Sequence, residues 1–362
     1  MSLKIFTCGP VAMFPEALSV RCGDIAYFRT QEYAALVKYC LKKLSLYLGN
    51  DLEDSLLYLA CSGTGAMETA VENVTGEEDR ALVINGGSFG QRFCELLKYH
   101  NIEYKSIDLQ WNERLEKKHF SKFEKEKFTM MFVNLDETST GQLYDINLIS
   151  SYCKEHGMLL IADIISSFLC DQIDMKRDGI DLAIFSSQKG LCCSPGCSFI
   201  SVNERMKAKI LNSKNKTASL YFNLKDYFIN MDRGQTPYTP TVMVIYEVYA
   251  MIQLIEKFGG VHKWMKTIED KARFFREKAI EIGYSIPEYR LSNMLTPLYL
   301  KGIPSDLVAN ELRSYGFYVS PCGGDLAEKI FRVCHLGSNS VTDTELLLEA
   351  LGKVKEKLIK ND

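Results

Sequence analysis

Two short apolar runs, each ending on one ionisable side chain, constrain this chain more than any other feature of its 362 residues. The first, MLLIAD, stops on Asp163. The second, DLAIFSS, runs into Gln188 and Lys189, with Gly190 behind them. Apolar runs of this length, bounded by polar breaks, read as buried strands. A polar segment broken by Gly179 separates the two. In open α/β sheets ligands sit beyond the C-terminal strand ends, which puts an acid and an amine where chemistry is done. A loop salt bridge or plain solvated strand ends would give the same pair, so the flanking segments have to decide.

LLYLACSGTGAMETAVENVTG reads as strand, tight turn and helix, with Ser62, Gly63, Thr64 and Gly65 at the helix N-terminus. Unpaired N–H groups and the positive end of the helix dipole make such a turn a ready anion site. It is no dinucleotide fingerprint, because Glu68 stands where G-x-G-x-x-G needs its third glycine. ALVINGGSFGQRFCELL repeats the pattern and puts Phe89 in the turn. An aromatic there either stacks on a planar ligand ring or covers the sheet end. TMMFVNLDETSTG is a strand entering a hydroxyl-rich turn from Glu137 to Gly141, and Gly157 stops the helix before the Asp163 strand. Strand–helix alternation over 55–205 predicts a mainly parallel sheet between helices. One cofactor, pyridoxal phosphate, needs both a lysine for a Schiff base and an acid for its pyridinium nitrogen.

The remaining segments set the boundaries. Residues 1–25 read as an N-terminal arm, 26–250 as a large cofactor-binding domain and 251–362 as a small C-terminal α+β domain. Tyr33 to Leu48 has helical apolar spacing. The Lys/Glu-rich run at 112–127 reads as a solvated helical face, and 203–219 as an exposed helix and loop. GQTPYTPTV is a rigid loop, and one long helical stretch is expected from Val242 to Ile282. TPLYL, FYVSPCGG and KIFRVCHLG then supply strands, and TDTELLLEALGKVKEKLIK a closing helix. Arg332, inside IFRVC, needs an anionic ligand or a fixed carboxylate if it is buried.

Composition excludes several function classes. A net charge of −3 gives no basic field for nucleic acid or an anionic membrane. No apolar run approaches the roughly 20 residues of a membrane span, and no secretory signal is visible. The twelve cysteines are scattered. Cys192, Cys193 and Cys197 cluster after the lysine but lack the second ligand pair of a metal site. They read as reduced core residues, so no metal is expected and the cytoplasm is the expected compartment.

Eight segments in order, CGPVAMFPEAL, CSGTGAMETA, NGGSFGQR, DETSTG, ADIISSF, SSQKGL, TPYTPTV and FRVCHLG, resemble the class V aminotransferases of pyridoxal-phosphate fold type I. The alanine–glyoxylate, serine–pyruvate and 2-aminoethylphosphonate–pyruvate enzymes are the nearest in pattern. The resemblance implies a seven-stranded, mainly parallel sheet between helices, pyridoxal 5'-phosphate as cofactor and a homodimer with shared active sites. It makes Lys189 the Schiff-base lysine and general base, Asp163 the pyridinium partner and Phe89 the ring-stacking aromatic. Ser62, Gly63 and Thr64 match the phosphate turn, Gln188 a further phosphate contact and Thr239 a phosphate contact reaching across from the neighbouring subunit. Ser139 matches a contact to the ring oxygen, with Thr138 and Thr140 as alternatives beside it. Arg332 matches the clamp on the substrate carboxylate. Leu135 stands where many relatives have histidine, and Val333-Cys334 departs from the usual RIG form.

The implied function is transfer of an amino group from a small donor (alanine, serine, aspartate or 2-aminoethylphosphonate) to a 2-oxo acid such as pyruvate or glyoxylate. A cysteine desulfurase-like lyase shares the fold, and Cys322 in PCGGD keeps that alternative open. Such lyases carry histidine where Phe89 and Gln188 stand here. A non-catalytic sensor on the same fold usually carries a DNA-binding module at one end, and with about 25 residues before the first helix none is expected here.

Overall fold

The computed structural model describes residues 3–214 and 217–360. Seven strands form the large sheet, in spatial order Leu56–Leu59, Ser198–Val202, Leu182–Ser186, Leu159–Asp163, Met130–Asn134, Arg80–Asn85 and Glu103–Asp108. All neighbours are parallel except Ser198–Val202, which is antiparallel to both of its partners. Five strands of the sheet, from Met130–Asn134 to Leu56–Leu59, are buried at every residue. That continuous apolar character is what a sheet covered by helices on both faces requires. The sheet core includes Tyr58, Phe132, Phe185 and Phe199, all fully buried.

Register then places the chemistry. Asn134 pairs with Asp163, and Asp163 with Ile184, so the C-terminal tips of three adjacent strands share one edge. The turn after Leu56–Leu59 leads into helix Gly63–Val74, and Gly86 and Gly87 lead from Arg80–Asn85 into helix Ser88–Tyr99. Both helix N-termini therefore open at the edge that carries Asp163.

A second sheet runs Lys4–Phe6, Phe317–Pro321, Phe331–Cys334, Leu295–Leu298. Helices Ser305–Ser314 and Val341–Lys360 cover one face, around a second core of Phe6, Phe275, Val319, Phe331, Val333 and Leu347. The N-terminal segment is thus not only an extended arm: Lys4–Phe6 pairs in parallel with Phe317–Pro321. Its partner lies some three hundred residues away, and no local pattern could announce it.

Two further expectations change. The stretch from Val242 to Ile282 is two helices, Val242–Phe258 and Val261–Glu281. Gly259 and Gly260 both take positive φ, +113° and +90°, which stops the first helix and starts the second. The 112–127 run is no continuous helix; it holds the short helix Lys117–Phe120, whose His119 and Phe120 are buried. In the 203–219 segment the helix is Glu204–Asn212, while residues 215–216 lie outside the described residues. No described helix is long and apolar enough to cross a membrane.

Candidate active site

Lys189 follows directly on the tip of Leu182–Ser186 and is 7% exposed. Its Nζ donates to Ser166 Oγ at 2.7 Å and to Thr138 Oγ1 at 3.2 Å, both neutral oxygens. Burial lowers its pKa, and the charges of Asp163 and Asp136 only partly oppose this. An amine held in this way is available as a nucleophile or base. The Cβ position of Gly9 lies 3.3 Å from Lys189 Cε, so any larger residue there would press on the lysine stem.

Asp163 closes its strand at 1% exposure. Its Oδ2 accepts from Asn134 Nδ2 and its Oδ1 from Ile165 N, both at 2.8 Å. Burial still pushes its carboxyl up to about 6. Phe89 lies on the other side, half-buried, with Lys189 Nζ 5.3 Å from its ring centroid. Phe89 and Asp163 thus both lie near the Lys189 amine, one through its ring and one through its charge. The Ser62–Gly63–Thr64 turn caps helix Gly63–Val74, with Ser62 Oγ accepting from Gly65 N at 3.3 Å. Ser62 and Thr64 are exposed, leaving the cradle open. Gly63 has no room for a side chain, since a Cβ would lie 2.6 Å from Ile165 Cδ1. Gln188 carries a buried Oε1 without a protein partner.

Three expected residues sit differently from the rest. Ser139 Oγ donates to Glu137 and accepts from Ser88 N at 3.1 Å, so it is turned away from the lysine; the adjacent Thr138 faces Lys189 instead. Thr239 is exposed on a loop that Arg29 clamps through Gln235 Oε1 and the carbonyls of Thr236 and Pro237. Among the described residues no side-chain hydrogen bond joins it to Ser62 or Thr64. Arg332 Nη1 donates to Thr138 O at 2.9 Å and Nη2 to Pro321 O at 2.8 Å, while its Nε is buried without a partner. The unpartnered Nε is left to meet an anion.

Several side chains escaped the sequence reading. Glu137, fully buried, accepts from Phe89 N at 3.3 Å and Gly90 N at 2.9 Å, and so anchors the helix that bears Phe89. Arg92 stacks on the Phe89 ring at 4.8 Å and donates to Thr64 Oγ1 at 3.0 Å, joining the two turns. Its place in NGGSFGQR was the available signal. Asp136, 1% exposed, has neither carboxylate oxygen hydrogen-bonded. Burial, with Asp171 adding to it, pushes its carboxyl up to about 8. An acid directly after an apolar strand, as at Asp163, was the signal there.

The arrangement can hold a flat anionic ligand: anion at the glycine turn, ring against Phe89, ring edge toward Asp163, reactive carbon near Lys189. The aminotransferase class-V family model matches residues 25–336. An uncharacterized aminotransferase of Methanocaldococcus jannaschii is 29% identical over 96% of this chain and 93% of its own length. The alanine–glyoxylate aminotransferase of Rattus norvegicus is 28% identical over 84% of this chain and 77% of its own. An alanine–glyoxylate aminotransferase from Nostoc superposes with a TM-score of 0.91 at 25% identity, covering 98% of this chain and 96% of that one.

Proposed function

Because this chain belongs to the class-V aminotransferase family, we propose that it uses pyridoxal 5'-phosphate to move an amino group from a small amino donor to a 2-oxo acid. Alanine, serine, aspartate and 2-aminoethylphosphonate are the candidate donors, and pyruvate or glyoxylate the candidate acceptors. One observation carries the reading: the buried Lys189 amine, met only by neutral hydroxyls, lies over the Phe89 ring beside the Asp163 strand tip.

The residues fit the cofactor. Its phosphate would be held by Ser62, Gly63 and Thr64 at the helix N-terminus, where the free N–H groups favour an anion. Gln188, beside Lys189, would be a further phosphate contact through its amide N–H₂. Phe89 would cover one face of the ring and Asp163 would partner its nitrogen. When bound, pyridoxal phosphate supplies a conjugated ring that takes up the electron pair left at the substrate α-carbon.

The chain's own groups do the rest. Asp163 keeps its carboxylate aimed along the sheet edge because Asn134 and Ile165 N hold both oxygens. Lys189 would take the proton from the substrate α-carbon as general base, a role for which its lowered pKa suits it. Thr138 and Ser166 hold Nζ in place. Arg332 presents its unpartnered Nε to the substrate carboxylate. The exposed Thr239 supports a homodimer in which this loop completes the partner's phosphate site.

The lyase alternative needs a nucleophilic thiol. Cys322 is the candidate, with Sγ 3.5 Å from Ser139 O, but burial pushes its thiol up to about 11. A catalytic cysteine needs the opposite shift.

The test is an absorbance titration of the holoenzyme with single amino donors and no oxo acid. A band near roughly 400–430 nm should fall as one near about 330 nm rises, as the cofactor accepts the amino group. A band that no donor changes contradicts transamination.

A further inference from the structure

Arg92 lies one turn into helix Ser88–Tyr99, three residues after Phe89. Side chains at that spacing share a helix face and lean back toward the N-terminus. The guanidinium therefore sits over the Phe89 ring, 4.8 Å from its centroid. A planar guanidinium that stacks by its face keeps its N–H edge for hydrogen bonds. Here that edge meets the neighbouring helix: Nη1 donates to Thr64 Oγ1 at 3.0 Å, on the glycine turn that opens helix Gly63–Val74.

Two features make this more than a tie between helices. Among the described residues no carboxylate pairs with Arg92; the Phe89 ring and the Thr64 hydroxyl are its partners. Arg80 and Arg177, by contrast, each sit against carboxylates. The second feature is the hydroxyl itself. Thr64 accepts from Arg92 and is exposed, so its own hydrogen is left to donate outward. An anion taking that hydrogen would stand two hydrogen-bond lengths from Nη1, within about 6 Å of a full positive charge. The helix N-terminus supplies only about half a charge, whereas a phosphate monoester carries roughly −1.5 to −2 near pH 7. Arg332 belongs to the other sheet, where the Thr138 and Pro321 carbonyls hold it. Among the described residues Arg92 is the one charged side chain hydrogen-bonded to the Ser62–Gly63–Thr64 turn.

Resting on the pyridoxal-phosphate reading above, we infer that Arg92 is the counter-charge of the cofactor's phosphate, acting across Thr64, and that it selects the phosphorylated cofactor over free pyridoxal. It is a positioning residue: it holds the anion and takes no part in the proton transfers at Lys189. A purely structural role, propping Phe89 or joining the two helices, would serve both forms of the cofactor alike.

The test is a binding titration of the full chain, freed of cofactor, with pyridoxal phosphate and with pyridoxal. Binding is read from the cofactor band, or from its initial slope against concentration where saturation is not reached. Arg92→Gln keeps a donor for Thr64 and drops the charge; Arg92 is only partly buried, so the variant should fold. It should raise the Kd for pyridoxal phosphate about tenfold or more and move that for pyridoxal by less than about twofold. Arg92→Lys, which keeps the charge, should recover most of the loss. An unchanged Kd for pyridoxal phosphate in Arg92→Gln overturns the inference, as does an equal loss for the two ligands. Arg92→Lys binding no better than Arg92→Gln overturns it too. In each of these cases the cofactor reading stands. A parent protein that gives no band with either ligand overturns the cofactor reading itself, and the inference with it.

Discussion

At the scale of single residues, three carboxylates at one sheet edge have been given three environments. Asp163 is buried but bonded at both oxygens; Glu137 is buried and spent largely on backbone N–H groups; Asp136 is buried with neither carboxylate oxygen in a direct hydrogen bond. Asp163→Asn would keep the packing and lose the charge that faces the cofactor nitrogen. We expect the half-reaction rate to fall about 100-fold or more, with the spectrum of bound cofactor altered; an unchanged rate would remove Asp163 from the mechanism. Asp136 makes a prediction about pH. Its folded-state pKa, about 8, lies above the ordinary 3.8, so the native state binds the extra proton. Stability contributed by that proton is complete below about pH 4 and drains away as pH rises towards 8. Asp136→Asn removes the linkage. Its melting temperature should exceed the parent's by roughly a few degrees at pH 8.5, and the gap should close toward pH 5. A parallel pH dependence in both proteins would contradict this account.

At the scale of elements, the turns do the positioning. Helix Ser88–Tyr99 begins at Gly87, which offers no capping side chain, and the cap comes instead from Glu137 on a neighbouring segment. Glu137→Ala should lower stability by about 1–3 kcal/mol, because two buried N–H groups lose their acceptor. It should also weaken cofactor binding by shifting Phe89; denaturant melts and a cofactor titration check both, and an effect on neither would contradict the assignment. The strands of the sheet were legible in the sequence because burial on both faces forces unbroken apolar runs such as LLIAD and LAIFS. The residues at their tips were legible for the same reason, since a charge there interrupts the run. The cap was not legible, because Glu137 and Gly90 meet only through tertiary structure. Nor was the pairing of Lys4–Phe6; at the hydroxyl turn the sequence left Ser139, Thr138 and Thr140 open, and only the structure turns Thr138 to the lysine. The helix break at Gly259 and Gly260 was visible as a glycine pair but lay inside helical spacing on both sides.

At the scale of the whole molecule, the reactive groups gather where the large sheet's C-terminal edge meets the open face of the small sheet. Thr138 belongs to the first and Arg332 to the second, and their hydrogen bond joins the two. The loop that bears Thr239 is clamped by Arg29, and Thr239 itself is exposed. A dimer in solution with two shared sites is expected, and Thr239→Ala should raise the apparent Kd for cofactor about tenfold through loss of a hydrogen bond to a charged group. A monomer by sedimentation that binds cofactor just as tightly would contradict sharing. The central claim is that Lys189 is the residue that carries the cofactor, and the most direct measurement is chemical. The holoenzyme is reduced with borohydride, digested, and its peptides are mapped by mass spectrometry. This account predicts one pyridoxyl group per chain, on the peptide containing Lys189; a group fixed to a different lysine, or none on protein saturated with cofactor, would contradict it.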